Sequence, residues 1–220
     1  MSRPLDDYEA DARTLVWYVA YGSNLLWSRF RCYLVGGSPA GSRHTNPGAR
    51  DPSGPVAVEP VQIPGRVVFA GQIPGWGGGG AAFFDPTVAA LAAGKAHLIT
   101  LDQLDDVVAQ ENGLSPGTDF GLGSVLSGGE LTIADARYDM VLHIGTLQGF
   151  PMLTLTSRAS DLTPTAPSPA YLWTIAAGLQ EAHGWAPPRI AAYLAVSPGV
   201  AGHWTADEIE ALVHLSAAPA

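Results

Sequence analysis

The sequence predicts one domain of the α+β class, with strands gathered around a few helices in a mixed barrel or sheet. Three observations predict it: several short β-branched and aromatic runs, a carboxy-terminal third that reads as helical, and no regular strand-helix-strand alternation. No internal repeat appears. At 220 residues with 47% hydrophobic residues, the chain can bury a core of ordinary size as one unit over 1–220.

The first 13 residues, MSRPLDDYEADAR, are polar and acidic and read as a flexible lead. Leu15 to Tyr21 (LVWYVAY) reads as a buried strand that Gly22-Ser23-Asn24 ends in a turn. A helix follows, with Asn24 as its predicted cap, because Leu26, Phe30 and Tyr33 recur at helical spacing until Gly36-Gly37. Residues 36–60 are rich in Gly, Pro, Ser and Arg and predict a long loop. Arg66 to Ala70, Ala81 to Phe84 and Lys95 to Leu101 read as strands, with a short helix expected in the alanine-rich stretch between the last two. Asp102 is the expected cap of a helix through Leu104, Val107 and Val108 that ends at Asn112-Gly113. A Gly- and Ser-rich segment at 114–130 precedes strands at Leu131 to Ile133, Met140 to Ile144 and Met152 to Thr156. The tail predicts helices from Tyr171 to His183, after Pro187-Pro188, and from Thr205, where Glu208 stands in capping-box spacing.

Composition excludes several functions. Eleven basic residues against 20 acidic ones leave a formal charge of -9, the wrong sign for neutralising phosphates, so nucleic acid is not an expected partner. No run approaches the roughly 18 apolar residues that span a bilayer, and no signal peptide opens the chain, which predicts no membrane partner and a cytoplasmic location. Cys32 is the single cysteine and reads as an ordinary helix residue. None of the six histidines lies three or four residues from another, so no metal site is expected. Gly75 to Gly80 satisfies the glycine pattern of a dinucleotide loop, but Ala-Ala-Phe-Phe-Asp-Pro follows and reads as extended, where that loop must open a helix.

Two places carry candidate chemistry. Position 111 shares a helix face with Leu104, Val107 and Val108, which would turn the Glu111 carboxylate inward. Burying a carboxylate costs several kcal/mol unless it is partnered, and desolvation raises a buried carboxyl toward the range useful for proton transfer near neutrality. The other reading ends the helix a turn early and leaves Glu111 solvated, and periodicity alone does not choose. Tyr21-Gly22-Ser23-Asn24 joins a buried strand to a helix start, where free backbone N–H groups converge and can hold a carboxylate or a carbonyl oxygen. An ordinary capped turn is the alternative.

Tyr18-Val-Ala-Tyr-Gly-Ser-Asn-Leu25, Trp76-Gly-Gly-Gly, Gln110-Glu111 at the end of DQLDDVVAQENG, and Pro167-Ser-Pro-Ala-Tyr171 occur in that order. Together they resemble the γ-glutamylcyclotransferase-like superfamily over most of residues 15–200. The resemblance implies a mostly antiparallel β-barrel with flanking helices, no metal or organic cofactor, and a small γ-glutamyl substrate, with a homodimer as one candidate assembly. It also implies the family reaction, in which the substrate's α-amino group attacks its own γ-carbonyl, closing 5-oxoproline and releasing an amine or peptide. By the same carry-over Glu111 is the acid/base, Tyr18, Val19, Ala20, Tyr21, Gly22, Ser23 and Asn24 hold the glutamyl head, and Gly77, Gly78 and Tyr171 complete the pocket.

The sequence departs from the family pattern in the long loop at 36–60, in Asn112 between the glutamate and the glycine, and in the segment at 114–130. These leave the leaving group open. Acyl transfer, amide hydrolysis and non-catalytic metabolite binding stand as alternatives on the same pocket. One lysine against ten arginines, with heavy Ala, Gly and Pro usage, points to a GC-rich bacterial source.

Overall fold

A computed structural model describes residues 14–158 and 162–214; the expected flexible lead at 1–13 lies outside them. The apolar run becomes β1 (Leu15–Ala20), an interior strand buried on both faces. Its partners are β2 (Ala57–Pro64), β5 (Leu91–Thr100), β6 (Glu130–Thr132), β7 (Met140–Leu147) and β8 (Phe150–Thr156). They form a six-stranded sheet in the order β2-β5-β1-β8-β7-β6, in which β1 runs parallel to β8 and all other neighbours are antiparallel. A separate antiparallel hairpin pairs β3 (Arg66–Ala70) with β4 (Ala81–Asp85).

The α+β class is observed, but a closed barrel is not found among the described residues: β2 and β6 end the sheet, and the hairpin does not join its ladder. A side chain replaces backbone pairing there. The Thr156 hydroxyl donates to Phe84 O at 2.6 Å and accepts from Phe84 N–H at 2.9 Å, tying β4 to β8 through one residue. Three local expectations are also corrected. Residues 57–60 belong to β2 rather than to the long loop, which ends before them. The alanine-rich stretch becomes the start of β5 instead of a helix, because its small residues face β1 and β2 closely; a Cβ on Gly94 would lie 3.0 Å from Val19 Cγ1 and 3.2 Å from Ala20 O. The cap of the following helix is Thr100, whose hydroxyl accepts from Gln103 N–H while the Gln103 side chain accepts from Thr100 N–H, with Asp102 two residues inside, in the first turn.

Strand alternation sorts β1 into two cores. Trp17 and Val19 face one side, with Val16, Tyr18 and Ala20 on the other. On the second side lie α1 (Trp27–Val35) and α2 (Leu101–Glu111), which bring Phe30, Leu104, Val107 and Val108 into that core. On the first side lie the hairpin, α3 (Pro169–His183), α4 (Pro187–Ala195) and α5 (Ala206–His214). Each fully buried aliphatic or aromatic side chain contributes roughly 1.5–3 kcal/mol.

Two features seat the turn after β1. Lys95 of β5, the one lysine, is buried; it pairs with Glu181 of α3 and donates to Leu25 O at 3.1 Å, while Glu181 also accepts from Trp27 N–H at 3.0 Å. Gly178 lets α3 lie directly on the turn, since a Cβ there would stand 2.5 Å from Leu25 Cβ and 2.6 Å from Leu26 N. Gly178→Ala is therefore expected to destabilise the protein by roughly 1–3 kcal/mol, read as a lower urea midpoint, because backbone must move to admit the methyl.

Beneath the turn, His97 is fully buried, stacks on Phe30 with ring centroids 4.2 Å apart, and lies 3.3 Å from Asn24 O through Nε2. Desolvation, reinforced by the Lys95 charge, pushes its pKa down to about 3. The imidazole is therefore neutral in the folded state. Below the unfolded value near 6.5 the unfolded chain binds a proton that the folded chain does not. Compared with His97→Gln, the wild type is expected to lose stability on acidification by about 1.4 kcal/mol per pH unit between roughly pH 6.5 and pH 3, measured by denaturation at stepped pH.

Candidate active site

Glu111 is the last residue of α2, so the helix runs through it and the inward reading is the one realised. Its neighbours on the same face, Leu104, Val107 and Val108, are fully buried, whereas Glu111 is half-buried at the edge of a cavity. Gly113, just past the helix, takes φ +72°, the left-handed conformation that turns the chain away and leaves the carboxylate at the open end.

Asn24 was expected to cap α1 and does not. It lies in a short 3-10 turn over Ser23–Leu25, and α1 begins at Trp27 with no side-chain cap. Its amide instead donates to Glu111 Oε1 at 2.8 Å and to the Tyr18 hydroxyl at 2.9 Å. The turn and the end of α2, 87 residues apart, are thus joined by one side chain. Gly22 sits in a close-fitting place: a Cβ would lie 3.1 Å from Ala82 Cβ, tight enough to press on β4, and 3.5 Å from the Tyr171 hydroxyl.

Four tyrosines surround the carboxylate. Burial raises the pKa of Tyr18, Tyr33, Tyr138 and Tyr171, and the negative charge of Glu111 adds to it, so all four are neutral phenols. The Tyr171 hydroxyl accepts from Ala82 N–H at 3.2 Å and reaches Ser23. Tyr33 accepts from Arg29 and reaches Glu111. Arg29 is buried, with its guanidinium 4.1 Å from the Tyr33 ring centroid, and among the described residues its Nε and Nη1 have no hydrogen-bond partner; neither does Asn24 Oδ1. Unpaired buried polar groups are rare in folded proteins, and those of Arg29 and Asn24 stand close to one acid.

Glu111, Ser23, Tyr138 and Tyr171 border two spaces. One is a cavity of about 280 Å³ that also reaches Arg29, Trp76 and Arg137. The other is a cleft of about 20 Å³ against Tyr21, Gly22 and Asn24, room for one water-sized group. Of the sequence-predicted residues, Tyr18, Tyr21, Gly22, Ser23, Asn24, Glu111 and Tyr171 meet at these spaces. Val19 and Ala20 do not border them; they are core residues of β1. Gly77 and Gly78 do not border them either, and the cavity wall is formed by Pro74, Gly75 and Trp76 of the preceding turn.

Sequence reasoning missed Arg29, Tyr33, Arg137, Tyr138 and His44, all of which face the cavity. Arg29 and Tyr33 had a signal, a four-residue spacing that stacks the two on one helix face. The others stand in loops without periodicity: Asn112, just past α2, donates to Tyr138 O at 3.3 Å and accepts from Tyr138 N–H at 2.9 Å, and the polar side of α2 holds the loop that follows His44. Asp106 accepts from Arg50 N–H at 2.8 Å and Gly117 N–H at 2.7 Å, Gln110 accepts from Gly48 N–H at 3.2 Å, and Gln103 donates to Ser53 O at 2.9 Å. Among the described residues, no group of three His, Cys, Asp or Glu side chains is placed to hold a metal ion, and no helix is long and apolar enough to cross a membrane.

Asn24→Ala is expected to leave the fold intact but free the carboxylate, lowering turnover about 10- to 100-fold with little change in KM, measured by steady-state kinetics on any substrate the protein converts.

No protein-family model matches the chain. A protein of Arabidopsis thaliana described as histone deacetylase 5 is 32% identical over 191 residues, an alignment that takes in 77% of this chain and 29% of that protein. The chain thus spans 29% of the length of that curated relative. Two solved structures are similar. A γ-glutamyl cyclotransferase, 19% identical, covers 91% of this chain and 99% of its own with a TM-score of 0.52. An uncharacterised human protein, 20% identical, covers 91% and 98% with a TM-score of 0.50. At these identities the likeness is one of architecture, and the chain has the γ-glutamylcyclotransferase-like fold.

Proposed function

We propose that this chain is a γ-glutamyl cyclotransferase, releasing 5-oxoproline and a free amine or peptide from a γ-glutamyl amide. The observation that carries the reading is the position of Glu111: a carboxylate pinned by Asn24 at the junction of the wide cavity and the water-sized cleft. The fold, shared with a γ-glutamyl cyclotransferase, supports it.

The chemistry needs one proton carrier. The glutamyl head lies beside Glu111 with its α-ammonium toward the carboxylate. Glu111 takes a proton from it, the amine nitrogen attacks the γ-carbonyl carbon, and a carbon–nitrogen bond closes the ring. The carbonyl oxygen, negative in the tetrahedral intermediate, fits the cleft, where the backbone N–H groups near Gly22 and Ser23 and neutral phenols such as Tyr171 are candidate donors. Glu111 passes that proton to the leaving nitrogen and takes the second proton that the ring nitrogen carries after the attack; the bond from the former carbonyl carbon to the leaving nitrogen breaks as the oxyanion re-forms the carbonyl, and the second proton goes to the freed amine, which departs as an ammonium. No water is consumed. Because the attack is intramolecular, holding the chain folded can supply several kcal/mol of the barrier.

The test is a mass-spectrometric screen of γ-glutamyl amines and dipeptides. Cyclotransfer yields 5-oxoproline, hydrolysis would yield glutamate, and transfer would yield a new amide. Glu111→Gln, which keeps the shape and the bond from Asn24, is expected to lower kcat by about 10²- to 10⁴-fold. Full turnover in that variant would overturn the mechanism.

A further inference from the structure

The charge lining the wide cavity is opposite in sign to that of the chain. Against a formal net charge of -9, the cavity presents Arg29, Arg137 and His44 with a single acid, Glu111. Counting His44 as neutral, two guanidinium groups face one carboxylate. The two arginines differ in placement. Arg29 is nine-tenths buried in α1, close to Glu111 through Tyr33, with two guanidinium nitrogens unpartnered. Arg137 is exposed, in the connection before β7, and among the described residues it forms no ion pair, although Asp135 and Asp139 stand two positions to either side.

On the cyclotransferase reading, the substrate head brings one ammonium and one α-carboxylate. The ammonium must face Glu111, which removes its proton, and the α-carboxylate is matched by the buried Arg29. That leaves Arg137 without a counter-charge, at the exposed rim of the cavity, where a leaving group can extend toward solvent. We infer that Arg137 selects a leaving group that carries its own carboxylate, an amino acid or peptide, over an uncharged or cationic amine. This rests on the function proposed above, and deepens it. The segment before β7 thus supplies specificity, while β1, its turn and α2 supply the chemistry.

The probes are γ-glutamylalanine and γ-glutamylethylamide, whose leaving groups share a two-carbon skeleton and differ in the α-carboxylate alone. Binding of each to the full chain carrying Glu111→Gln, which should not turn them over, is measured by calorimetry with and without Arg137→Glu. Because Arg137 is exposed, the expected preference for γ-glutamylalanine is modest, roughly three- to fivefold, and it shrinks as salt is raised. Arg137→Glu is expected to abolish or reverse it while melting at the same temperature as its parent. Equal binding of the two compounds, or a preference that survives Arg137→Glu, overturns the selection by Arg137 and leaves the cyclotransferase reading standing. Binding of neither overturns both.

Discussion

The hydrogen bond from Asn24 to Glu111 joins the two elements on which the site depends. One is the turn after the central strand; the other is the end of the helix that carries the acid. Neither places a functional group by itself. The amide of Asn24, already bonded to Tyr18 below it, sets the orientation of the carboxylate relative to the backbone of Gly22 and Ser23. Everything that seats this turn therefore acts on the carboxylate indirectly: neutral His97 beneath it, Lys95 bound to Leu25 O, and the glycine of α3 that lets the helix lie against it.

Helix α2 has two tasks, one for each face. Its apolar face meets the core through Leu104, Val107 and Val108, and its polar face at Gln103, Asp106 and Gln110 anchors the backbones of the loops before β2 and after α2. Buried side-chain bonds to backbone of this kind hold loops that have little core of their own. The helix that presents Glu111 thus also fixes loops that carry His44 and other parts of the cavity wall, so chemistry and shape are referred to one rigid body.

Several of the unpaired buried polar atoms of the described structure stand near Glu111. A buried guanidinium with two unpaired nitrogens and an unpaired side-chain amide oxygen on Asn24 are costly to a folded chain and useful to a ligand with complementary charges. The surrounding tyrosines, held neutral by burial, keep donors at hand without adding charge. This pattern, one acid and a surplus of buried or rim cations, suits a zwitterionic head better than a neutral substrate.

Much of this was legible in the residues, because the signals were local. The run LVWYVAY could only be a buried strand, and the spacing of Leu104, Val107, Val108 and Glu111 set which way the acid turned once the helix was known to reach it. The helix ends at Gly36, Gly113 and Gly184 followed from backbone chemistry alone. Three-dimensional packing decided the rest. Whether Leu91 to Gly94 formed a helix or a strand depended on pairing with β2 and on the close approach of β1 at Gly94, which no local propensity records. Asn24 looked like a cap in sequence, since a capping side chain and one that reaches another element are the same residue until the partner arrives. Arg137 and His44 stand in loops placed by long-range bonds, from Asn112 to the backbone of Tyr138 and from Arg43 N–H to Gly75 O, so the sequence by itself named the residues at the site's centre, and only the tertiary structure decided what surrounds it, because those bonds join segments that no local pattern relates.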